Sequence, residues 1–246
     1  MYLDIEADIS TDRNEPTSLM EPLLLSNSSK NRQEILDLAF DLAQKSSGFC
    51  RSLPPNILTS LANLVRAMNC YYSNLIEGHD TQPVDIERAL KNNYSQNRKK
   101  RDLQVEARAH IEVQRWIDLG GLKGGKAFTS TGICEIHRRF CELLPEDFLW
   151  AEDSVTKERM RVVPGEFRIR DVHVDDHIAI SPGALPRFLN RFEQVYKQLE
   201  RADSVVSNAA AHHRLLWMHP FLDGNGRVAC LLSHAVFLDL LSTGSV

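Results

Sequence analysis

The stretch His219-Pro-Phe-Leu-Asp-Gly-Asn-Gly-Arg227 gathers, in one short run of chain, the groups that phosphate chemistry requires. Gly224 and Gly226 let the backbone take positive φ and turn its amides inward. A helix opening near Arg227 adds unpaired N–H groups and the positive end of its dipole. Together these predict an anion nest suited to phosphate oxygens. Asn225 is expected to donate to one phosphate, and Arg227 to neutralise another in a forked contact. Asp223 supplies a hard oxygen ligand for Mg²⁺, which typically bridges phosphates and keeps several waters. His219 lies just outside the nest, the place for a general base whose ordinary pKa of about 6.5 suits work near neutrality.

Two other strings are weaker. Gly120 to Lys126 reads Gly-x-x-x-x-Gly-Lys, but Ala127 follows where a P-loop needs a magnesium-binding hydroxyl, and a helix precedes it instead of a strand. A helix–helix connection is the simpler reading. His173-Val-Asp-Asp-His177 holds four potential metal ligands in five residues. On a strand, however, His173 and Asp176 would face opposite sides, so two histidines on a hairpin are expected there.

The elements that must position the nest are mostly helical. Asn31 and Glu34 resemble a capping box that opens a helix through Leu38 and Leu42. After Pro54-Pro55, apolar residues recur at Leu61, Leu64, Val65, Met68, Tyr72 and Leu75, a 3.6-residue stripe ending at Gly78. Pro83 suits the first turn of a short helix, and 103–117 and 131–143 predict two more. The Lys/Arg run at 98–101 reads as a solvated helix end. Between 159 and 180 the period changes to two: Phe167 and Ile169 alternate with Arg168 and Arg170, then Val172 and Val174 with His173 and Asp175. This predicts a β-hairpin or flap. Helical periodicity returns at about 184–200, 204–218 and 227–241. Residues 1–30 mix acids, Ser, Thr, Asn and Pro and read as an arm.

The 246 residues carry a net charge of −4, which argues against a nucleic-acid coat. A hydrophobic fraction of 43% is that of a chain that buries a core. The N-terminus has acids before its first basic residue and no long apolar run, so neither a secretory signal nor a membrane span is expected. Five cysteines, odd in number and without a Cys-x-x-Cys pair, fit a reducing, cytoplasmic setting.

With these residues in view, the string resembles the signature of the Fic family, His-x-Phe-x-Asp/Glu-Gly-Asn-Gly-Arg-x-x-Arg. It matches at His219, Phe221, Asp223, Gly224, Asn225, Gly226 and Arg227. His212, seven residues upstream, and Gly165-Glu-Phe-Arg168 before Val172 extend the likeness over roughly 130–241. The resemblance implies a mainly α-helical bundle with a short β-hairpin flap. It also implies three regions: an arm at 1–30, a helical region at 31–118 and a core at 119–246. The implied activity is that of a protein adenylyltransferase moving AMP from ATP to a Ser, Thr or Tyr hydroxyl of a target protein, itself included, with Mg²⁺. His219 would be the base, and Asp223, Gly224, Asn225, Gly226, Arg227, Val228, Ala229 and Cys230 would form the nucleotide site. Asp223 would be the metal ligand, and Phe167, Val172 and Val174 would belong to the flap that aligns a target strand.

Further upstream, Ser73-Asn-Leu-Ile-Glu77-Gly78 resembles the family's inhibitory motif, Ser/Thr-x-x-x-Glu-Gly/Asn. It falls at the end of the striped helix, from which Glu77 could reach the nest. One departure stands out. Cys230 occupies the position of the motif's second arginine, which commonly holds the γ-phosphate and pairs with the inhibitory glutamate. Glu77 could then pair with Arg227 instead. Rival readings are a nucleotide-binding regulator with little transfer, an enzyme that also removes AMP with Glu77 orienting water, and a DNA-linked or toxin–antitoxin role. A homodimer stays open.

Overall fold

The computed structural model of the protein describes residues 2–4, 11–123, 125–153, 157–174, 176–197, 199 and 201–241. Among them the architecture is helical with two small antiparallel sheets. At its centre runs α8 (Asn225–Leu241), which buries Val228, Ala229, Leu231, Leu232, Ala235 and Val236. A helix apolar on so many sides must be enclosed. α7 (Arg201–Met218) supplies its most extensive partner, and α4 (Arg98–Asp118) and α5 (Ser130–Glu142) pack on it as well. α6 (Leu185–Tyr196) closes the core behind α7 with Phe188, Phe192 and Tyr196. The first N–H groups of α4 and α5 are satisfied by N-caps: Asn97 accepts from Lys100 N–H at 3.2 Å and Thr129 from Gly132 N–H at 2.9 Å. The basic run opens α4 on solvent, and the described residues of 120–126 lie between α4 and α5, as the sequence suggests, Gly124 lying outside the described residues.

α1 (Arg32–Ser52) starts where expected, but Asn31 forms no side-chain cap, so the capping box is not made. α2 (Pro55–Ile76) has the predicted length with a different face inward. Leu64, Tyr72 and Leu75 of the apolar stripe are exposed, and the buried residues are Ala62, Cys70, Ser73 and Asn74. Polar fastening explains the reversal. Arg66 of α2 donates to Asp118 Oδ2 at 2.5 Å, and His234 of α8 bonds the other oxygen of Asp118 at 2.6 Å. One buried carboxylate thus ties three helices. A small cluster of Cys70, Ile86, Ala107 and Ile111 joins α2 to α4 and to α3 (Pro83–Leu90).

The expected hairpin forms only in part. β4 (Asp171–Val174) pairs with β5 (His177–Ile178) and, on its other edge, with β1 (Tyr2–Asp4). β2 (Trp150–Glu152) and β3 (Arg159–Arg161) make the second sheet. Residues 167–170 are not a strand, and their alternation is inverted: Arg168 is buried and Ile169 exposed. The N-terminal segment also departs from a loose arm. Met20 and Leu23 are buried in the core, Tyr196 OH donates to Leu23 O at 2.9 Å, and Arg13 forks onto Asp171 at 3.0 Å through each terminal nitrogen. No described helix is long and apolar enough to cross a membrane, and the cysteines are free.

Candidate functional site

The loop between α7 and α8 is built around Phe221. Its ring is fully buried, stacked on His137 at 3.8 Å between centroids and 7° between planes, and tilted against Phe167 at 5.5 Å. Asn225 clasps the same residue: its Oδ1 accepts Phe221 N–H at 2.9 Å and its Nδ2 donates to Phe221 O at 2.8 Å. This corrects the sequence expectation for Asn225. Its side-chain amide shapes the loop and is not available to a phosphate. Gly224 takes φ 79° and its carbonyl accepts Val228 N–H at 3.0 Å, which starts the ladder of α8. The N–H groups of the first turn face outward from this start, as an anion site requires. Asp223 is exposed at the rim, with Oδ1 accepting Gly224 N–H at 2.7 Å.

The end of α2 delivers a carboxylate to this turn. Gly78, at φ 75°, completes a Schellman motif in which His79 N–H donates to Asn74 O at 2.8 Å and Gly78 N–H to Leu75 O at 3.1 Å. The reversal aims both flanking side chains at Arg227. Glu77 Oε2 lies 3.5 Å from Arg227 Nη1. Its carboxylate lies so close over Gly226 that a Cβ there would overlap it. Arg227 Nη2 donates to His79 Nδ1 at 2.8 Å and to Glu106 Oε2, from α4, at 2.7 Å. The Glu77 carboxylate thus covers the first turn of α8, where Gly226 is helical and only Gly224 takes a positive φ, and Arg227 is nearly buried among Glu77, His79 and Glu106.

His219 sits at φ 49°, a left-handed conformation unusual for a side chain of its size. Arg168 holds it there. This arginine, 3% exposed, donates through Nε to His219 O at 2.7 Å and through Nη2 to Ile180 O at 2.5 Å and Met218 O at 3.3 Å. Nη1 donates to Arg170 O at 2.7 Å, and the Arg168 N–H reaches Pro220 O at 2.9 Å. Burial lowers the guanidinium pKa to about 10, so it keeps its charge at neutrality. Burial, reinforced by that charge, lowers His219 to about 4. Burial, opposed by a backbone hydrogen bond with Asp223, takes His137 to about 4, and its Nδ1 accepts Gly165 N–H at 2.9 Å. Both imidazoles are neutral at pH 7, the form that can accept a proton.

The structure brings Glu77, from the upstream motif, onto Gly226 and Arg227, with His219, Asp223 and Gly224 in the same loop before α8. Others in the same runs take different places. Val228 and Ala229 are fully buried and face the core, and the Val228 N–H already serves the helix. Cys230 is half-buried beside Ser73, and burial pushes its thiol pKa up, so it supplies no charge. Ser73 is buried on α2, and its carbonyl accepts Glu77 N–H at 3.2 Å. Val172 is buried in β4 and Val174 half-buried at its end, while Phe167 packs on Phe221 below the hairpin. His212 bonds Ala229 O at 3.2 Å and Ser233 Oγ at 3.0 Å, clamping α7 to α8. Sequence reasoning missed His79, Glu106 and His137, and it placed Arg168 in the flap entry without its hold on His219; His79, next to the Glu77-Gly78 stop, carried a local signal. As a cation ligand Asp223 fits, because Mg²⁺ takes one or two carboxylates and completes its shell with water and phosphate oxygens. Among the described residues no group of three or more ligating side chains occurs.

Residues 127–237 match the model of the Fic/DOC family. The protein adenylyltransferase Fic of Nematostella vectensis is 28% identical over 171 residues, 68% of this chain and 36% of that one. Its counterpart in Aedes aegypti is 29% identical over 170 residues, 68% and 31% of the two chains. That of Drosophila mojavensis is 42% identical over 77 residues, 30% and 15%. The chain thus spans about a third or less of the length of these curated relatives. Among solved structures, a Fic domain containing signaling protein from Bacteroides thetaiotaomicron aligns with a TM-score of 0.61 at 20% identity, over 82% of this chain and 72% of that one. Fic-1 from C. elegans aligns at 0.61 and 18% identity, over 85% and 57%. At these identities the structural likeness shows the fold.

Proposed function

We propose, from the match of residues 127–237 to the Fic/DOC family model, that the protein is an adenylyltransferase that moves AMP from ATP to a Ser, Thr or Tyr hydroxyl of a target protein, restrained by Glu77. The observation that carries this reading is a carboxylate lying over Gly226 and facing Arg227, in the position an anionic group of a nucleotide would take. With Glu77 withdrawn, the amides of the first turn of α8 and Arg227 would hold the phosphates. His219, neutral through burial, would take the hydroxyl proton as the new oxygen–phosphorus bond forms and pyrophosphate departs. Asp223 would hold Mg²⁺, which supplies charge neutralisation for the phosphates. The edge of β5 on the side away from β4 would align an extended target segment through its main chain, since β1 pairs with the far side of β4.

The free cysteines support a cytoplasmic setting. In this reading 31–118 carries the restraint and 119–246 the transfer site, and self-modification and a homodimer are the partner arrangements to examine. A second reading, a nucleotide-binding regulator with weak transfer, is favoured by Cys230, which leaves Arg227 as the motif's one guanidinium. The test compares ATP labelled at the α- and at the γ-phosphate, with Mg²⁺. Transfer of α-label alone, raised by Glu77→Gly and abolished by His219→Ala, supports the transferase. Transfer that appears only after Cys230→Arg supports the regulator.

A further inference from the structure

Arg227 is gripped on one edge and open to exchange on the other. A guanidinium has five N–H donors in a fixed plane, so holding one terminal nitrogen dictates where the other points. Nη2 donates to Glu106 at 2.7 Å and to His79 at 2.8 Å, which occupies both of its hydrogens. Nη1 faces Glu77 at the longer distance of 3.5 Å, and it is Glu77 that a Cβ on Gly226 would strike. The two carboxylates therefore have different places: Glu77 covers the first turn of α8, and Glu106 backs the arginine. The side chain is only 7% exposed, so solvent contributes little to its orientation. Between His219 and Cys230 it is also the one permanent cation, which makes phosphate alignment depend on the pose of a single side chain.

We propose that Glu106 and His79 are positioning residues that clamp Nη2 of Arg227, so that its Nη1 edge is presented to a nucleotide phosphate once Glu77 leaves. The proposal rests on the transferase reading above. Because Glu106 offsets the arginine's charge, Arg227 would act through the direction of its hydrogen bonds more than through net attraction. What matters at 106 is then an acceptor oxygen. His79 serves the same end from the segment that carries Glu77.

The test uses the full chain with Glu77→Gly as parent. ATP binding with Mg²⁺ is followed by titration calorimetry, and α-label transfer is followed alongside. Adding Glu106→Ala should raise Kd and KM for ATP at least tenfold, with kcat changed less than threefold and helical circular dichroism unchanged. Glu106→Gln, whose amide oxygen can still accept from Nη2, should restore most of the affinity. His79→Ala should weaken binding by a smaller factor. A Glu106→Ala chain that binds ATP as tightly as the parent or more tightly overturns the proposal and makes Glu106 a bystander or a second restraint. A fall in kcat with unchanged KM makes its role structural and also overturns it. If the Glu77→Gly parent itself binds no ATP, the transferase reading fails and the inference falls with it.

Discussion

His219 illustrates how a single residue's surroundings set its chemistry. Its backbone is bent into the left-handed region and tied by Arg168, and its imidazole is held neutral by burial and by that same guanidinium. In the proposed transfer the base must be unprotonated, and a pKa of about 4 keeps it so well below the range of an ordinary histidine. The expected outcome is a kcat/KM for ATP that changes less than about threefold between pH 7.5 and pH 5.5, where an imidazole of ordinary pKa would be mostly protonated. A steady-state pH profile of the Glu77→Gly chain measures it. Arg168→Lys should keep the charge but lose the fork that reaches several carbonyls, so kcat is expected to fall by about tenfold or more while ATP affinity holds. Comparing kcat with Kd for ATP separates these effects.

In the proposed restraint two helix ends hold the site closed, and each can be perturbed alone. The Gly78 turn costs a glycine nothing, whereas an L side chain at φ 75° costs about 1–2 kcal/mol, although a Cβ there would meet nothing. Gly78→Ala should therefore loosen the Glu77–Arg227 contact and raise α-label transfer severalfold with a modest fall in Tm. Asp118 is the second point. Asp118→Asn weakens charge-assisted bonds to Arg66 and His234, which would destabilise the packing of α2 by roughly 2–3 kcal/mol. It should raise transfer in the parent chain and have no further effect once Glu77→Gly is present, a non-additivity that label transfer detects. Much of this scale was legible in the sequence: the helix ending at Gly78, the motif turn and the helices after 184. The inward face of α2 was not. A 3.6-residue apolar stripe identifies a helix but gives no account of a polar fastening from 52 residues away, and Arg66–Asp118 turns α2 so that Leu64 and Tyr72 face out. The same blindness to distant partners hid the roles of Glu106 and Arg168, which rest on atoms of α8 and of the loop before it.

Across the whole molecule, buried neutral histidines link folding to acidity. His110, taken to about 3 by burial, His137 and His219, each taken to about 4, bind protons less readily in the folded chain than in the unfolded one, where their pKa is 6.5. Between pH 6.5 and these lower values the unfolded state gains protons that the folded state refuses. Stability contributed by the three groups is therefore complete above pH 6.5 and declines on acidification, each unprotonated site costing up to about 1.4 kcal/mol per pH unit. Urea unfolding from pH 7 to pH 5 should show the decline, and His110→Gln should flatten it. The N-terminal segment is part of the same body. Polar composition suggested an arm, but Met20 and Leu23 complete the core beside Tyr196, and Leu23→Ala should cost about 2–5 kcal/mol in the same experiment.

The carboxylate over Gly226 also constrains how such a protein could drift under selection. Any side chain gained at 226 would evict Glu77, yet it would stand in the space through which the first turn of α8 meets an anion. If Glu77 restrains transfer as proposed, a substitution at 226 would remove the restraint and the phosphate site together. Heritable gains of function should therefore gather on the distal end of α2 and the turn after it, from Ser73 to His79. Changes at 224–227 should be recovered almost wholly as losses, a bias that a mutational scan scored for both outcomes would reveal.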